Sequence, residues 1–323
     1  MKLLRRQFLH LVAGIVALPP ISQIARADAY PSRPVHIIVG FPAGTSSDIT
    51  ARLIGQWLSE RLGQQVIVEN RPGAGTNIAA DSVVHGTPDG YSLLWVTQTN
   101  AINASIYTTL NFNFIRDIVP VASIIRVPAV MMVHPSLPAY TVPEFIAYAE
   151  SNPGKINMSS PGIGSVNHVA GELFKMMTGV DMVHVPYRGS QFPDLLSGQV
   201  QVTFNPLPSS LEFIRAGKLR ALAVTTAKRQ EVLPDIPTVS EFVPGYEATA
   251  WFGIGVPKNT PAEIVDKLNR EIDAGLTDPR FKARLADLGG ETFAGSPGDF
   301  STFIAAETKK WAKVVKFAGI KPE

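Results

Sequence analysis

The chain has 323 residues, 45% of them hydrophobic, with 29 basic and 27 acidic side chains and no cysteine. That length accommodates two domains of ordinary size whose cores need no staples, and the composition is globular rather than disordered. The lack of cysteine excludes disulfides, thiolate nucleophiles and Cys-ligated zinc.

Lys2, Arg5 and Arg6 make a basic opening, Phe8 to Pro19 a short apolar stretch, and Ala25-Arg26-Ala27 a small-x-small cleavage site before Asp28. A membrane-spanning helix needs about 20 apolar residues, so this stretch reads as an export signal. Arg5-Arg6-Gln7-Phe8-Leu9 resembles the twin-arginine signal, with Leu4 where that signal usually carries Ser or Thr. The expectation is an exported bacterial protein of the periplasm, cleaved near Ala27. Removing residues 1–27 takes away Lys2, Arg5, Arg6 and Arg26 and no acid, so 29 less four leaves 25 basic against 27 acidic groups. No block of Lys and Arg follows, which leaves nucleic-acid and membrane-surface binding without electrostatic support. No other stretch reaches transmembrane length.

Val35 to Val39 reads as a buried strand, and it runs into Gly40-Phe41-Pro42-Ala43-Gly44-Thr45-Ser46-Ser47-Asp48. A helix follows, with Ile49, Leu53, Trp57 and Leu58 as its apolar face. Strand, tight Gly loop and helix start bring unpaired N–H groups and the positive end of a helix dipole together. Such a place suits a carboxylate or phosphate. The plain alternative is an ordinary βα turn whose Ser and Asp cap the helix.

Gly63 closes this helix, Val66 to Glu69 is a second strand, and the loop Asn70-Arg71-Pro72-Gly73-Ala74-Gly75 leads to a helix over 76–84. Tyr91 to Thr97 is a third strand, ending in the polar group Gln98-Thr99-Asn100. Val127 to Val133 is the next, with Pro128 near its start. Thr141-Val142-Pro143-Glu144 is a capping box opening a helix to about Ser151.

Ile156 to Ser159 is a short strand, followed by Ser160-Pro161-Gly162-Ile163-Gly164-Ser165-Val166-Asn167-His168 and a helix carrying Val169, Leu173, Met176 and Met177. The opening device is thus repeated. Met182 to Pro186, Val200 to Phe204, Ala221 to Thr225 and Trp251 to Val256 are further strands, with a helical stretch at 209–217. Thr260-Pro261-Ala262-Glu263 combines an N-cap, Pro at the first helical position and a capping Glu. Ser296-Pro297-Gly298-Asp299 opens a terminal helix to about Phe317. Trp57, Phe145 and Phe174 read as core. The alternation predicts an α/β fold with largely parallel sheets.

The two strand–Gly-loop–helix units lie more than 110 residues apart, one in each half. If each half is a domain, both loops can face one cleft and hold a small acid between them. Arg188, in Tyr187-Arg188-Gly189-Ser190, offers a guanidinium for a carboxylate, and Asn205 an amide. An enzyme reading would take Ser165, His168 and Asp181 or Asp194 as nucleophile, base and orienter, but no Gly-x-Ser-x-Gly elbow occurs. The six histidines never pair at ligand spacing, and Gly73-Ala74-Gly75 lacks the third Gly of a dinucleotide fingerprint. Neither metal nor cofactor is expected.

Several motifs carry a resemblance to the solute-binding proteins of tripartite tricarboxylate transporters, the Bug family of periplasmic receptors. They are Tyr30-Pro31-Ser32-Arg33-Pro34, Gly40-Phe41-Pro42-Ala43-Gly44 and Val68-Glu69-Asn70-Arg71-Pro72-Gly73-Ala74-Gly75. Further matches are Gly162-x-Gly164-Ser165-x-x-His168, Val185-Pro186-Tyr187-Arg188-Gly189-Ser190 and Pro234-Asp235-Ile236-Pro237-Thr238, in family order over nearly the whole mature chain.

The resemblance implies a two-domain periplasmic-binding-protein fold of the Venus-flytrap type II class, each domain a mixed, mostly parallel sheet flanked by helices, without catalysis. Domain 1 would be 28–127 plus 251–323, and domain 2 would be 128–250. A ligand carboxylate would lie between a first loop of Ala43, Gly44, Thr45, Ser46 and Asp48 and a second of Gly162, Gly164, Ser165 and His168. The partners implied are a small carboxylic acid and a membrane permease, with the receptor a monomer.

Three departures bear on the ligand: Thr45 where many members have Gly, a stretch after Ser190 about two residues shorter than usual, and Asn205 in place of a common Asp. Two other readings stay open, a secreted serine hydrolase using Ser165 and His168, and a periplasmic sensing subunit.

Overall fold

The computed structural model describes residues 30–107, 109–187 and 190–321. The expected export signal and Arg188 lie outside them. The chain opens with β1 (Val35–Val39), α1 (Ser46–Leu62) and β2 (Val66–Asn70), then α2 (Asn77–Val84), β3 (Ser92–Thr97), α3 (Gln98–Ile106), α4 (Phe114–Asp117) and β4 (Ile118–Val127). A second run comprises β5 (Ala129–Val133), α5 (Val142–Ser151), β6 (Ile156–Ser160), α6 (Val166–Thr178) and β7 (Met182–Pro186). It continues with α7 (Phe192–Ser197), β8 (Val202–Pro206), α8 (Leu207–Arg215) and β9 (Arg220–Val224). The chain then closes with β10 (Ala250–Pro257), α9 (Ala262–Thr277), α10 (Pro279–Asp287), β11 (Glu291–Thr292) and α11 (Pro297–Ala318).

Two helix-flanked sheets result, in the orders β11-β4-β10-β3-β1-β2 and β7-β6-β8-β5-β9. In the first, β1 pairs parallel with β2 and β3, while β10 is antiparallel to β3 and β4, and β11 to β4. In the second, β6 is parallel to β7 and β8, and β5 antiparallel to β8 and β9. The sheets are therefore mixed, with antiparallel pairs at least as numerous as parallel ones, rather than mostly parallel. The cause is connectivity. β4 leads the chain out of the first sheet, and β10 brings it back in the opposite direction.

The strand expected over 127–133 is two strands. Val127 ends β4 in the first sheet and Ala129 begins β5 in the second. Pro128, which has no N–H to give a ladder, stands where the chain passes between them. β4 itself escaped the sequence pattern because it contains Pro120, which lies opposite a register shift at Ile254/Gly255.

Two helices differ in detail. On α1, Ile49 is exposed, and Ala51, Leu53, Ile54 and Leu58 are the residues that face inward. At α9 no capping box forms: the Thr260 hydroxyl donates to the Pro257 carbonyl at 2.8 Å, and Pro261 takes the cap position. The terminal helix has its expected box, with Ser296 Oγ accepting from the Asp299 N–H and Asp299 accepting from the Ser296 N–H.

α11 and α3 enter two cores. Phe300 and Ile304 pack with Trp251 and Val96, against the first sheet. Trp311, Val314 and Val315 pack with Ile102 and Ile106 of α3 and with Phe145 and Phe174, against the second. No described helix is long and apolar enough to cross a membrane.

Candidate functional site

β1 is almost wholly buried and ends at Val39, so the chain must turn before α1 can start. Gly44 makes that turn possible with φ +82°. Thr45 is the N-cap: its Oγ1 accepts from the Asp48 N–H at 3.3 Å and donates to the Pro42 carbonyl at 2.9 Å. Asp48 is 2% exposed and faces back into the loop. Its carboxylate accepts from the Gly44 N–H at 2.9 Å, Arg52 Nε at 3.0 Å and Asn70 Nδ2 at 2.8 Å. Burial alone would raise its pKa; the hydrogen bonds from Arg52, Gly44 and Asn70 outweigh burial and lower it.

The second loop is built likewise. Ser165 caps α6, its Oγ accepting from the His168 N–H at 3.2 Å and donating to the Gly162 carbonyl at 2.7 Å. Gly164, at φ +74°, gives its N–H to His168 Nδ1 at 3.1 Å. The His168 ring lies flat on His184, with centroids 3.6 Å apart and planes 8° from parallel. Asn167 donates from Nδ2 to Asn205 Oδ1 at 3.1 Å, and Gln191 Nε2 donates to the same oxygen at 3.0 Å. Asn205 Nδ2 in turn donates to Ser209 and Ser210.

A third helix start joins these two. α3 begins at the end of β3, where the Thr97 N–H donates to Asn100 Oδ1 at 2.8 Å. A cavity of about 510 Å³ lies where the starts of α1, α3 and α6 meet, lined by Thr45, Ser46 and Ser47, by Thr97, Gln98 and Thr99, and by Gly162 through Asn167. Its other walls are largely apolar: Ile106 at the end of α3 and Tyr107 just past it, Val127, Ala129, Phe204, Trp251 and Phe252, with Asn103 of α3 as a polar exception. Among the described lining residues, Lys321 carries the sole formal charge. Ser47 is 4% exposed, and its hydroxyl has no hydrogen-bond partner.

Of the residues singled out from sequence, Thr45, Ser46, Gly162, Gly164 and Ser165 line this cavity. Ala43, Gly44 and Asp48 do not; Gly44 and Asp48 shape the first loop from outside. His168 and Asn205 are buried behind the second loop and hold it, His168 through Gly164 and Asn205 through Asn167. Missed were Ser47, Asn167, the run Thr97-Gln98-Thr99 and the aromatic wall. The signal for the third helix start was a strand ending in successive polar residues, without the glycine that marked the other two.

The hydrolase arrangement is not formed. Ser165 Oγ donates to a backbone carbonyl, and the His168 ring turns to His184 and away from that hydroxyl. Among the described residues no group of three His, Asp or Glu is placed to hold a metal ion.

The family model described as "Tripartite tricarboxylate transporter family receptor" matches residues 50–320. Protein BugT of Bordetella pertussis is 34% identical over 320 residues, covering 98% of each chain. Among solved structures, R. palustris Rpa4515 with adipate is 41% identical, with 91% of this chain and 100% of that one covered and a TM-score of 0.79. MatC (Rpa3494) from Rhodopseudomonas palustris with bound malate is 31% identical, covering 88% and 100%, with a TM-score of 0.75.

Proposed function

Because this chain belongs to the tripartite tricarboxylate transporter receptor family, we propose that it captures a small carboxylic acid in the periplasm and hands it to a membrane permease. The family is one of solute receptors, and the protein is a receptor and not an enzyme. The observation that carries the carboxylate reading is the convergence of three helix starts on one largely apolar cavity. Each start contributes about 0.3–1 kcal/mol toward an anion, and up to about 2 where partly buried. The apolar wall suits the carbon skeleton of the acid. That Rpa4515 is described with adipate and MatC with malate supports the same ligand class.

In this reading the acid's carboxylate is held between the loop at Thr45–Ser47 and the loop at Gly162–Ser165, with Thr97–Thr99 as a third side. Residues 28–127 with 251–323 form one lobe and residues 128–250 the other. The lobes close on the ligand, and closure is driven by the contacts made only in the closed form. The receptor acts as a monomer after export and cleavage near Ala27.

A thermal-shift panel tests the ligand class, since a ligand that binds only the folded state raises Tm in proportion to RT ln(1 + [L]/Kd). Adipate or malate at millimolar concentration should raise Tm by several degrees and neutral sugars should not. Equal shifts for both classes would count against it. N-terminal sequencing of the exported protein should begin at Asp28.

A further inference from the structure

The second loop rests on a stacked pair of imidazoles that the ligand cavity does not use. His168 and His184 lie 3.6 Å apart in nearly parallel planes. Each grips the loop at a different point. His168 Nδ1 accepts the Gly164 N–H at 3.1 Å. His184 Nε2 is 2.6 Å from Ser160 Oγ, which also accepts the Gly162 N–H at 3.2 Å. His168 is 5% exposed.

Accepting from Gly164 fixes the His168 tautomer: Nδ1 is bare and the hydrogen sits on Nε2. Nε2 points toward Glu172 Oε1 at 3.7 Å, and Lys175 Nζ donates to that oxygen at 3.0 Å. The ring is therefore engaged at both edges. Glu172 lies on its Nε2 side, and a proton on Nδ1 would set an N–H against the N–H of Gly164.

We propose that His168 is a positioning residue for the ligand loop, and that a proton on its Nδ1 frees Gly164 and lets the receptor release its acid as the surroundings acidify; this rests on the receptor reading above. His184 is the partner that stays neutral, because burial first and the neighbouring His168 second push it down to about 4. Burial works to raise Glu172, but its bonds to His168 and Lys175 lower it, so it remains the counter-ion. The other charged groups facing the pair across a cavity of about 760 Å³ are Asp181, ahead of β7, and Lys321, beyond α11. At most one proton enters the stack, since two charged rings at this distance would repel strongly.

Nitrogen-15 NMR of the ligand-free full chain, titrated from pH 7.5 to 4.5, reads this directly. His168 should be the Nε2–H tautomer at pH 7.5, and the Gly164 amide should shift and lose exchange protection with the same midpoint as His168 Nδ1. In parallel, adipate and malate affinities are measured for wild type and for His168→Gln, whose amide oxygen can still accept from Gly164 but cannot titrate. Below the His168 midpoint the wild type should lose up to tenfold in affinity per pH unit beyond any loss shared with the variant. A Gly164 amide that stays fixed while His168 titrates, or one pH profile common to both proteins, overturns the proposal. A wild type that binds no carboxylate at pH 7.5 fails the receptor reading instead, and the Gly164 amide then decides this proposal alone.

Discussion

Trp251 Nε1 donates to Glu307 Oε2 at 3.0 Å, which ties a wall of the ligand cavity to the terminal helix. The same oxygen accepts from Trp311 Nε1 at 2.9 Å, and Lys310 pairs with the carboxylate from one turn away. Trp251 belongs to β10 of the first sheet, while Trp311 packs in the core beside the second. One carboxylate, 7% exposed, thus links cavity wall and both cores.

Glu307→Ala should destabilise the protein by about 2–4 kcal/mol, because it strands the two buried indole N–H groups of Trp251 and Trp311, each unpaired group costing about 1–3 kcal/mol. Glu307→Gln keeps an acceptor and should cost less than half as much. Urea unfolding midpoints at pH 7 give both values, and an alanine variant of wild-type stability would show that this carboxylate does not tie the wall to the helix.

Ser47→Ala should leave the ligand-free protein as stable as wild type, since the hydroxyl has no partner to lose. It should weaken carboxylate binding by about 0.5–1.5 kcal/mol, or about 1.5–3 if the hydroxyl meets a full charge. Calorimetric titration beside a melting curve separates the two. By contrast, Ser165→Ala removes an N-cap and should cost about 1 kcal/mol of stability as well as affinity.

Gly44→Val should damage the first loop through its backbone alone. Nothing lies within 4 Å of the position a Cβ would take, but φ is +82°. Holding an L-residue there costs about 1–2 kcal/mol, more for a branched one, and the alternative is to withdraw the Gly44 N–H from Asp48. Gly44→Asn, which tolerates this region better, should fall between valine and wild type in both melting temperature and ligand affinity.

Asp48 sets an acid limit on the first loop. Its folded pKa lies below the unfolded value, despite burial, through the bonds from Arg52, Gly44 and Asn70. Its contribution to stability is therefore complete above about pH 4, the ordinary Asp value, and is lost as pH falls through the lowered folded value. Asp48→Asn should be less stable at pH 7 and should show a flatter decline between pH 4 and 2. Parallel declines in wild type and variant would show that other carboxylates carry the acid transition.

Both Gly loops were legible because a buried β-run, positive-φ glycines and a hydroxyl at the cap are local signals. The start of α3 was not, since Asn100 and Asn103 are as buried as Ile102 and leave no apolar periodicity to read. His168 and Asn205 stand behind the second loop and not in the cavity wall. A helix start does not encode which way its third residue turns; here the stack on His184 and the amide chain through Asn167 and Gln191 decide it. The terminal helix read correctly from its capping box, yet its two cores depend on contacts with Trp251 and Phe174 that lie far away in sequence.

The cavity at the three helix starts is the proposed seat of the carboxylate. Isothermal titration of protein that has been unfolded, freed of carried ligand and refolded, against mono- and dicarboxylic acids including adipate and malate, tests it most directly. Saturable one-to-one binding of at least one acid, weakened by Ser47→Ala and Gly44→Val, is the predicted result. Binding of neutral sugars with no response to any carboxylate would contradict it.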